Sequence, residues 1–153
     1  MSYPPIASLV PHAAPMLLLD RLGEATATTA RCEVRVGETL ALFLRDDGAL
    51  PGWVGIELMA QTVAAWSGYQ GHLRQEEPQI GLLLGARKYQ CHLARLPAGS
   101  LLTIDCEQLL QDGALASFQC YLRCDGELVA EARLSTIQPD AEQLETLLGS
   151  RQA

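Results

Sequence analysis

The apolar positions of the chain crowd into its middle. Between Leu50 and Leu73, Pro51-Gly52 marks a turn and a helix start, and Trp53, Val54, Ile56, Leu58, Met59, Val63 and Trp66 then set large apolar side chains on every face of a helix. A helix apolar all round is a buried one, and the pattern predicts a central helix over 51–73. Glu57 is the one charged side chain between Asp47 and Arg74 when His72 is neutral. Gln61 follows it four residues later, which puts both on one helix face. A carboxylate and an amide in such surroundings are costly unless they are paired or used. That face is therefore the first place to look for chemistry.

Around this helix the period changes to two. Residues 1–15 are rich in Pro and Ala and predict an arm with a short helical turn. A short apolar strand is expected over 16–22. Residues 26–36 alternate, with Ala30, Cys32, Val34 and Val36 on one side and Arg31, Glu33 and Arg35 on the other, as in a half-buried antiparallel strand. Residues 39–50 read as a loop around the polar turn Arg45-Asp46-Asp47-Gly48, and 74–78 as a solvated linker. Four strands follow, over 79–94, 101–111, 116–124 and 128–137, with Asp112-Gly113 and Asp125-Gly126 as hairpin turns. Their inward positions are Leu102, Ile104 and Cys106, then Phe118, Cys120, Leu122 and Cys124, then Leu128, Ala130, Ala132 and Leu134. A short amphipathic helix over 140–149 closes the chain, with Asp140 as its N-cap. One long buried helix needs a sheet wrapped about it, so the fold class is α+β. A second copy of the molecule is the natural cover for what one sheet leaves open.

Composition changes this picture little. The 153 residues suit one domain, and a chain of this size buries roughly two-thirds of its unfolded surface without disulfides or metals. The net charge of −7 argues against a nucleic-acid partner. Five cysteines, odd in number and without a C-x-x-C pair, read as small buried hydrophobes of a reducing cytoplasm. No signal-peptide pattern occurs at the N-terminus, and Glu57, Gln61, Thr62 and Ser67 argue against a membrane span for the central helix. The expectation is a cytoplasmic protein. His92 beside Cys91 has no further ligands at metal spacing, so neither a metal nor a cofactor is expected. His72 sits where a cation suits a helix C-terminus. Arg74, Arg87, Lys88 and Arg95 read either as a docking patch for an acidic carrier protein or as a solvated strand edge.

Two stretches resemble a known family. Val10-Pro11-His12-Ala13-Ala14-Pro15-Met16-Leu17-Leu18-Leu19-Asp20-Arg21 is similar to the opening of the FabZ/FabA-type 3-hydroxyacyl-acyl-carrier-protein dehydratases. Pro51-Gly52-Trp53-Val54-Gly55-Ile56-Glu57-Leu58-Met59-Ala60-Gln61 resembles their helix-start motif P-G-x-x-x-x-E-x-x-x-Q. The strand running from Gly81 through Arg87-Lys88-Tyr89 to Pro97-Ala98-Gly99 continues the likeness, which covers nearly the whole chain. It implies the hotdog fold, in which a curled antiparallel sheet wraps one helix and two sheets pair edge to edge with active sites at the dimer interface. It also implies loss of water from a 3-hydroxyacyl thioester. In that chemistry a histidine takes the C2 proton and a helix carboxylate from the other protomer protonates the leaving hydroxyl. Backbone N–H groups at the helix start hold the thioester carbonyl. Carried over residue by residue, the carboxylate is Glu57, the helix start is Gly52 and Trp53, and the glutamine is Gln61.

The family histidine has no counterpart. Its place, 14 residues before the carboxylate, is Phe43, and no histidine occurs between His12 and His72. A general base contributes roughly 10²–10⁴ in rate, so a chain without one is a poor dehydratase alone. In this respect the sequence resembles the ApeP-type dehydratase-like proteins of aryl-polyene clusters, through 51–66, Leu82-Leu83-Leu84-Gly85-Ala86-Arg87, 116–119 and Cys124-Asp125-Gly126-Glu127-Leu128. That resemblance implies an accessory subunit paired with a catalytic ApeI-type dehydratase. The residues leave other readings open: a self-sufficient dehydratase with His12 as base, a thioesterase in which Glu57 activates water, or a non-catalytic acyl-thioester binder. His12 is then a substitute base or a tunnel wall, and Gln61 either orients Glu57 or caps a dimer contact. Sheet pairing suits a homodimer and a heterodimer equally.

Overall fold

A computed structural model describes residues 3–76 and 82–138. The expected helix over 140–149 and the first residues of the strand expected over 79–94 lie outside them. The strands are β1 (Arg21–Ala25), β2 (Thr29–Arg35), β3 (Leu50–Pro51), β4 (Leu82–Cys91), β5 (Arg95–Leu96), β6 (Leu101–Asp112), β7 (Leu115–Cys124) and β8 (Glu127–Ile137). Six of them form one antiparallel sheet in the order β1-β2-β6-β7-β8-β4, and β3 pairs with β5 apart from it. The helix α1 spans Gly55–Leu73 and is entered through a 3-10 turn at Gly52–Val54, so the helical run starts one residue after Pro51. Pro51 itself is extended, at φ −59° and ψ 138°.

The sheet curls around α1. Leu58, Met59 and Ala65 of the helix are buried with Cys32, Val34, Ile104, Cys120, Leu122 and Leu134 of the sheet. The alternation expected in β2, β6 and β7 is the alternation observed. This is the hotdog arrangement. The arm lies across the open side of α1, with Ile6, Leu9 and Val10 buried and Tyr3 set edge-on to Tyr69 at 5.2 Å. It comes this close because Gly68 has no side chain: a Cβ there would collide with the Leu9 carbonyl.

Three expectations need correction. Residues 16–20 form no strand, and β1 begins at Arg21. The Met16 carbonyl and the Leu18 N–H are taken by the Gln61 side chain instead of a neighbouring strand. The segment 39–50 is not simply a loop, since it holds most of a 3-10 turn (Glu38–Phe43) and its end pairs as β3 with β5. Leu128 points outward and Val129 is buried in its place. The cause is a bulge, because Leu122 faces Ala130 while Arg123 faces Leu128, which leaves Val129 as the extra residue.

Burial makes the core thiols poor acids. It pushes Cys32 and Cys120 from 9.0 up to about 12, and raises Cys106 well above 9.0. The unfolded thiols ionise near the lower value, so their contribution to stability is complete below about pH 9 and is lost as pH rises toward 12. Cys32 and Cys120 should each remove about 1 kcal/mol per pH unit across that window. Urea midpoints measured from neutral to alkaline pH should stay level and then fall steeply. A level profile up to pH 11 or so would contradict sealed thiols.

Candidate active site at the head of the central helix

Gln61 is the fixed point of the site. It is fully buried, and each of its amide atoms is used. Oε1 accepts from the Leu18 N–H at 2.9 Å, while Nε2 donates to the Met16 carbonyl at 2.8 Å and to Glu57 Oε1 at 3.2 Å. The one-turn spacing seen in the sequence thus becomes a direct hydrogen bond, and Gln61 orients Glu57. Glu57 itself is not buried as the helix pattern suggested. Its side chain keeps 40% of its surface exposed, because its face of α1 opens on a pocket instead of the sheet. The carboxylate therefore escapes the desolvation cost that burial would carry.

His12 arrives from the arm. Its Nε2 lies 3.8 Å from Glu57 Oε1, which is ion-pair range when the ring is protonated and too long for a hydrogen bond. Nδ1 is buried and makes no hydrogen bond among the described residues. His12 and Glu57 stand together in the wall of a pocket of about 270 Å³, beside an apolar stretch made by Ala60, Val63, Ala64 and Phe118. A carboxylate and an imidazole at the rim of a largely apolar pocket can exchange protons with a bound acyl group.

Gly52 and Trp53 lie outside that pocket lining. Trp53 is 60% exposed, and its ring meets Phe43 edge-on at 6.1 Å. Phe43, expected at the place of the family's histidine, is a ring-packing residue of the 3-10 turn. The expected role of Gly52 as a carbonyl-binding donor is not available, because its N–H already donates to the Ala94 carbonyl at 2.9 Å. Trp53 N–H belongs to the first turn, whose donors have no intrahelical acceptor, and there the helix dipole favours negative charge. Sequence reasoning missed Tyr89, whose hydroxyl donates to the Gly52 carbonyl at 2.5 Å. No alternation runs through 82–91 in the sequence, so nothing there marked Tyr89.

The four basic residues do not act as one free patch. Arg95 pairs with Asp47 at 2.8 Å and Arg74 with Glu76 at 3.3 Å. Arg87 faces Arg133 across β4 and β8. His72 closes α1 and stacks on Tyr69. His92 donates its backbone N–H to Val129. Among the described residues no helix is long and apolar enough to cross a membrane.

These features stand in the order that the sequence resemblance led one to expect: an arm histidine, a Pro-Gly helix start, then Glu and Gln one turn apart. A model of the ApeP-like family, described as ApeP dehydratase, matches residues 4–149. The chain belongs to the ApeP-like dehydratase family. Its fold superposes on a chain of the dehydratase heterocomplex ApeI:P from Xenorhabdus doucetiae with a TM-score of 0.90 and 38% identity, covering 95% of this chain and 98% of that one. More distant structures share the hotdog fold alone. A hypothetical thioesterase with coenzyme A from Streptococcus pneumoniae TIGR4 matches with a TM-score of 0.60 at 15% identity, over 77% of this chain and 86% of that one. The PaaI protein from the E. coli phenylacetic acid degradation operon matches with a TM-score of 0.59 at 15% identity, over 76% and 81%. No curated protein matches the sequence.

Proposed function

We propose that this chain is a subunit of a dehydratase acting on 3-hydroxyacyl thioesters of an acyl carrier protein, in biosynthesis of the aryl-polyene type. On this reading it pairs with a catalytic dehydratase and contributes Glu57 to a shared site. The observation that carries the proposal is the Glu57 carboxylate, held by buried Gln61 at 3.2 Å and open to a largely apolar pocket. Its likeness to a chain of a dehydratase heterocomplex supports the pairing. In the reaction, Glu57 gives a proton to the departing hydroxyl, and the partner supplies the base that takes the C2 proton and, at its own helix start, the N–H that holds the thioester carbonyl. Water leaves and a double bond forms between C2 and C3. The base comes from the partner, because Phe43 stands where this chain would carry one. Edge strand β4 has a neighbour on one side only among the described strands, which leaves an open edge for a second sheet.

A second reading has one observation in its favour. His12 lies 3.8 Å from Glu57, so the two could serve as base and acid of a self-sufficient site and return the proton to each other after each turnover. His12→Ala in the assembled complex separates the readings. A partner-supplied base predicts a loss of less than about tenfold in kcat, whereas His12 as base predicts roughly 10²–10⁴.

A further inference from the structure

One edge of the sheet carries a charge opposite to that of the whole protein. Strand β4 ends the six-stranded sheet, with β8 on one side and no described strand on the other. Arg87 of β4 faces Arg133 of β8 directly, although like charges opposed across a ladder are destabilising. Lys88 joins them. Strict alternation would turn it to the helix side, but a bulge intervenes: Gln90 faces Glu131, so Lys88 and Tyr89 together oppose one residue of β8. Lys88 takes the left-handed conformation, at φ 57°, and stays exposed. Arg87, Lys88 and Arg133 line one shallow groove of about 290 Å³, with Glu131 as its one carboxylate. The groove thus carries a surplus of positive charge on a protein of net charge −7.

These cations are held differently from others of the chain. Arg21, Arg31, Arg74, Arg95 and Arg123 each pair with a carboxylate at 3.3 Å or less. Among the described residues, Arg87, Lys88 and Arg133 form no ion pair. A second copy of this chain on the β4 edge would aggravate the arrangement. Directly opposed residues of neighbouring antiparallel strands share a face, so two sheets joined edge to edge with both helices on one side are centred on a residue of β4. The central residues of Leu82–Cys91 are Ala86 and Arg87. Centred on Arg87, the join sets it opposite its own copy; centred on Ala86, it sets the two arginines diagonally, roughly 7–8 Å apart. Either way the order across the join is Arg133, Arg87, Arg87, Arg133, like charges on four adjacent strands. A different subunit can bring carboxylates there instead.

We propose that the β4 edge selects the partner: its arginine row disfavours a second copy of this chain and receives a hotdog subunit whose own edge strand carries Asp or Glu. Opposite charges across a join steer the encounter and fix its register. Repulsion of the wrong partner adds to the same discrimination. The inference rests on the paired-subunit reading of the preceding subsection and adds what chooses the pair.

The test is sedimentation of the full chain, alone and with the catalytic dehydratase of its complex, between about 0.05 and 0.5 M salt. The two associations should respond with opposite sign. Added salt should tighten self-association and weaken the mixed pair, each by about tenfold. Arg87→Glu combined with Arg133→Glu should weaken the mixed pair about tenfold or more at low salt. The same variant should bind wild-type copies of this chain more tightly than those bind each other. Both positions are exposed; where the reversed pair folds poorly, Arg87→Gln with Arg133→Gln should shift the mixed pair in the same direction by less. A mixed pair insensitive to salt and to these substitutions would overturn the inference and leave the paired-subunit reading standing. A tight wild-type homodimer at low salt would overturn it as well. A variant that keeps the dehydratase but loses an acyl carrier protein would assign the edge to that carrier, against the inference. No complex with the dehydratase at any salt would overturn the paired-subunit reading and this inference with it.

Discussion

Glu57→Gln should lower the dehydration rate of the assembled complex by roughly 10²–10⁴ while leaving the protein as stable as before. The stability half follows from geometry. The carboxylate is 40% exposed, and the oxygen that accepts from Gln61 at 3.2 Å has an equivalent in the glutamine amide. Surface changes of this kind stay within about 0.5 kcal/mol. The rate half follows from the chemistry, since an amide cannot deliver a proton to a leaving hydroxyl. A full rate in Glu57→Gln, alone and with a partner, would leave only binding or scaffolding for this subunit.

Gln61→Leu should do the reverse in the first instance and unsettle the fold. The substitution keeps the volume and removes three hydrogen bonds, to Leu18, Met16 and Glu57. Leu18 is fully buried, so its N–H has no water to turn to. An orphaned buried group costs about 1–3 kcal/mol. Counting the Met16 carbonyl as partly rehydrated, about 2–4 kcal/mol is expected. At 2–4 °C per kcal/mol for a chain of roughly this size, the melting temperature should drop by about 5–15 °C. Activity should fall as well, because the segment released from Gln61 is the one that leads back to His12. A melting temperature lowered by less than about 2 °C would mean that Gln61 does not hold the 16–18 segment. The pair Glu57→Gln and Gln61→Leu is a double-mutant cycle across a 3.2 Å contact, and their effects on rate should be less than additive.

Much of this was legible in the chain. The all-round apolar helix with Glu57 and Gln61 on one face marked the centre of the fold and of the candidate site, because a long apolar run without alternation differs plainly from the period-two strands on either side of it. Cys32, Ile104 and Leu122 read inward from alternation alone and are buried. What the pattern could not reveal depends on contacts between distant residues. The backbone of 16–18 looks like a strand until a glutamine from the helix claims its polar groups. A bulge turned Leu128 outward, and bulges leave little trace in composition. His12 and Glu57 are 45 residues apart in sequence, and only the path of the arm across α1 brings them to 3.8 Å. The Gly52 N–H looked like a site donor by family pattern, yet the same tight approach that requires glycine there hands it to Ala94.

Turnover of a 3-hydroxyacyl carrier protein, followed by the mass lost with water, shows whether this chain works alone or only beside a partner. It should be run on this chain alone, on a partner dehydratase alone, and on the two together. This chain alone should be nearly silent, and the pair should be faster or more stable than the partner by itself. Robust turnover by this chain alone would contradict it, and would assign the missing base to His12.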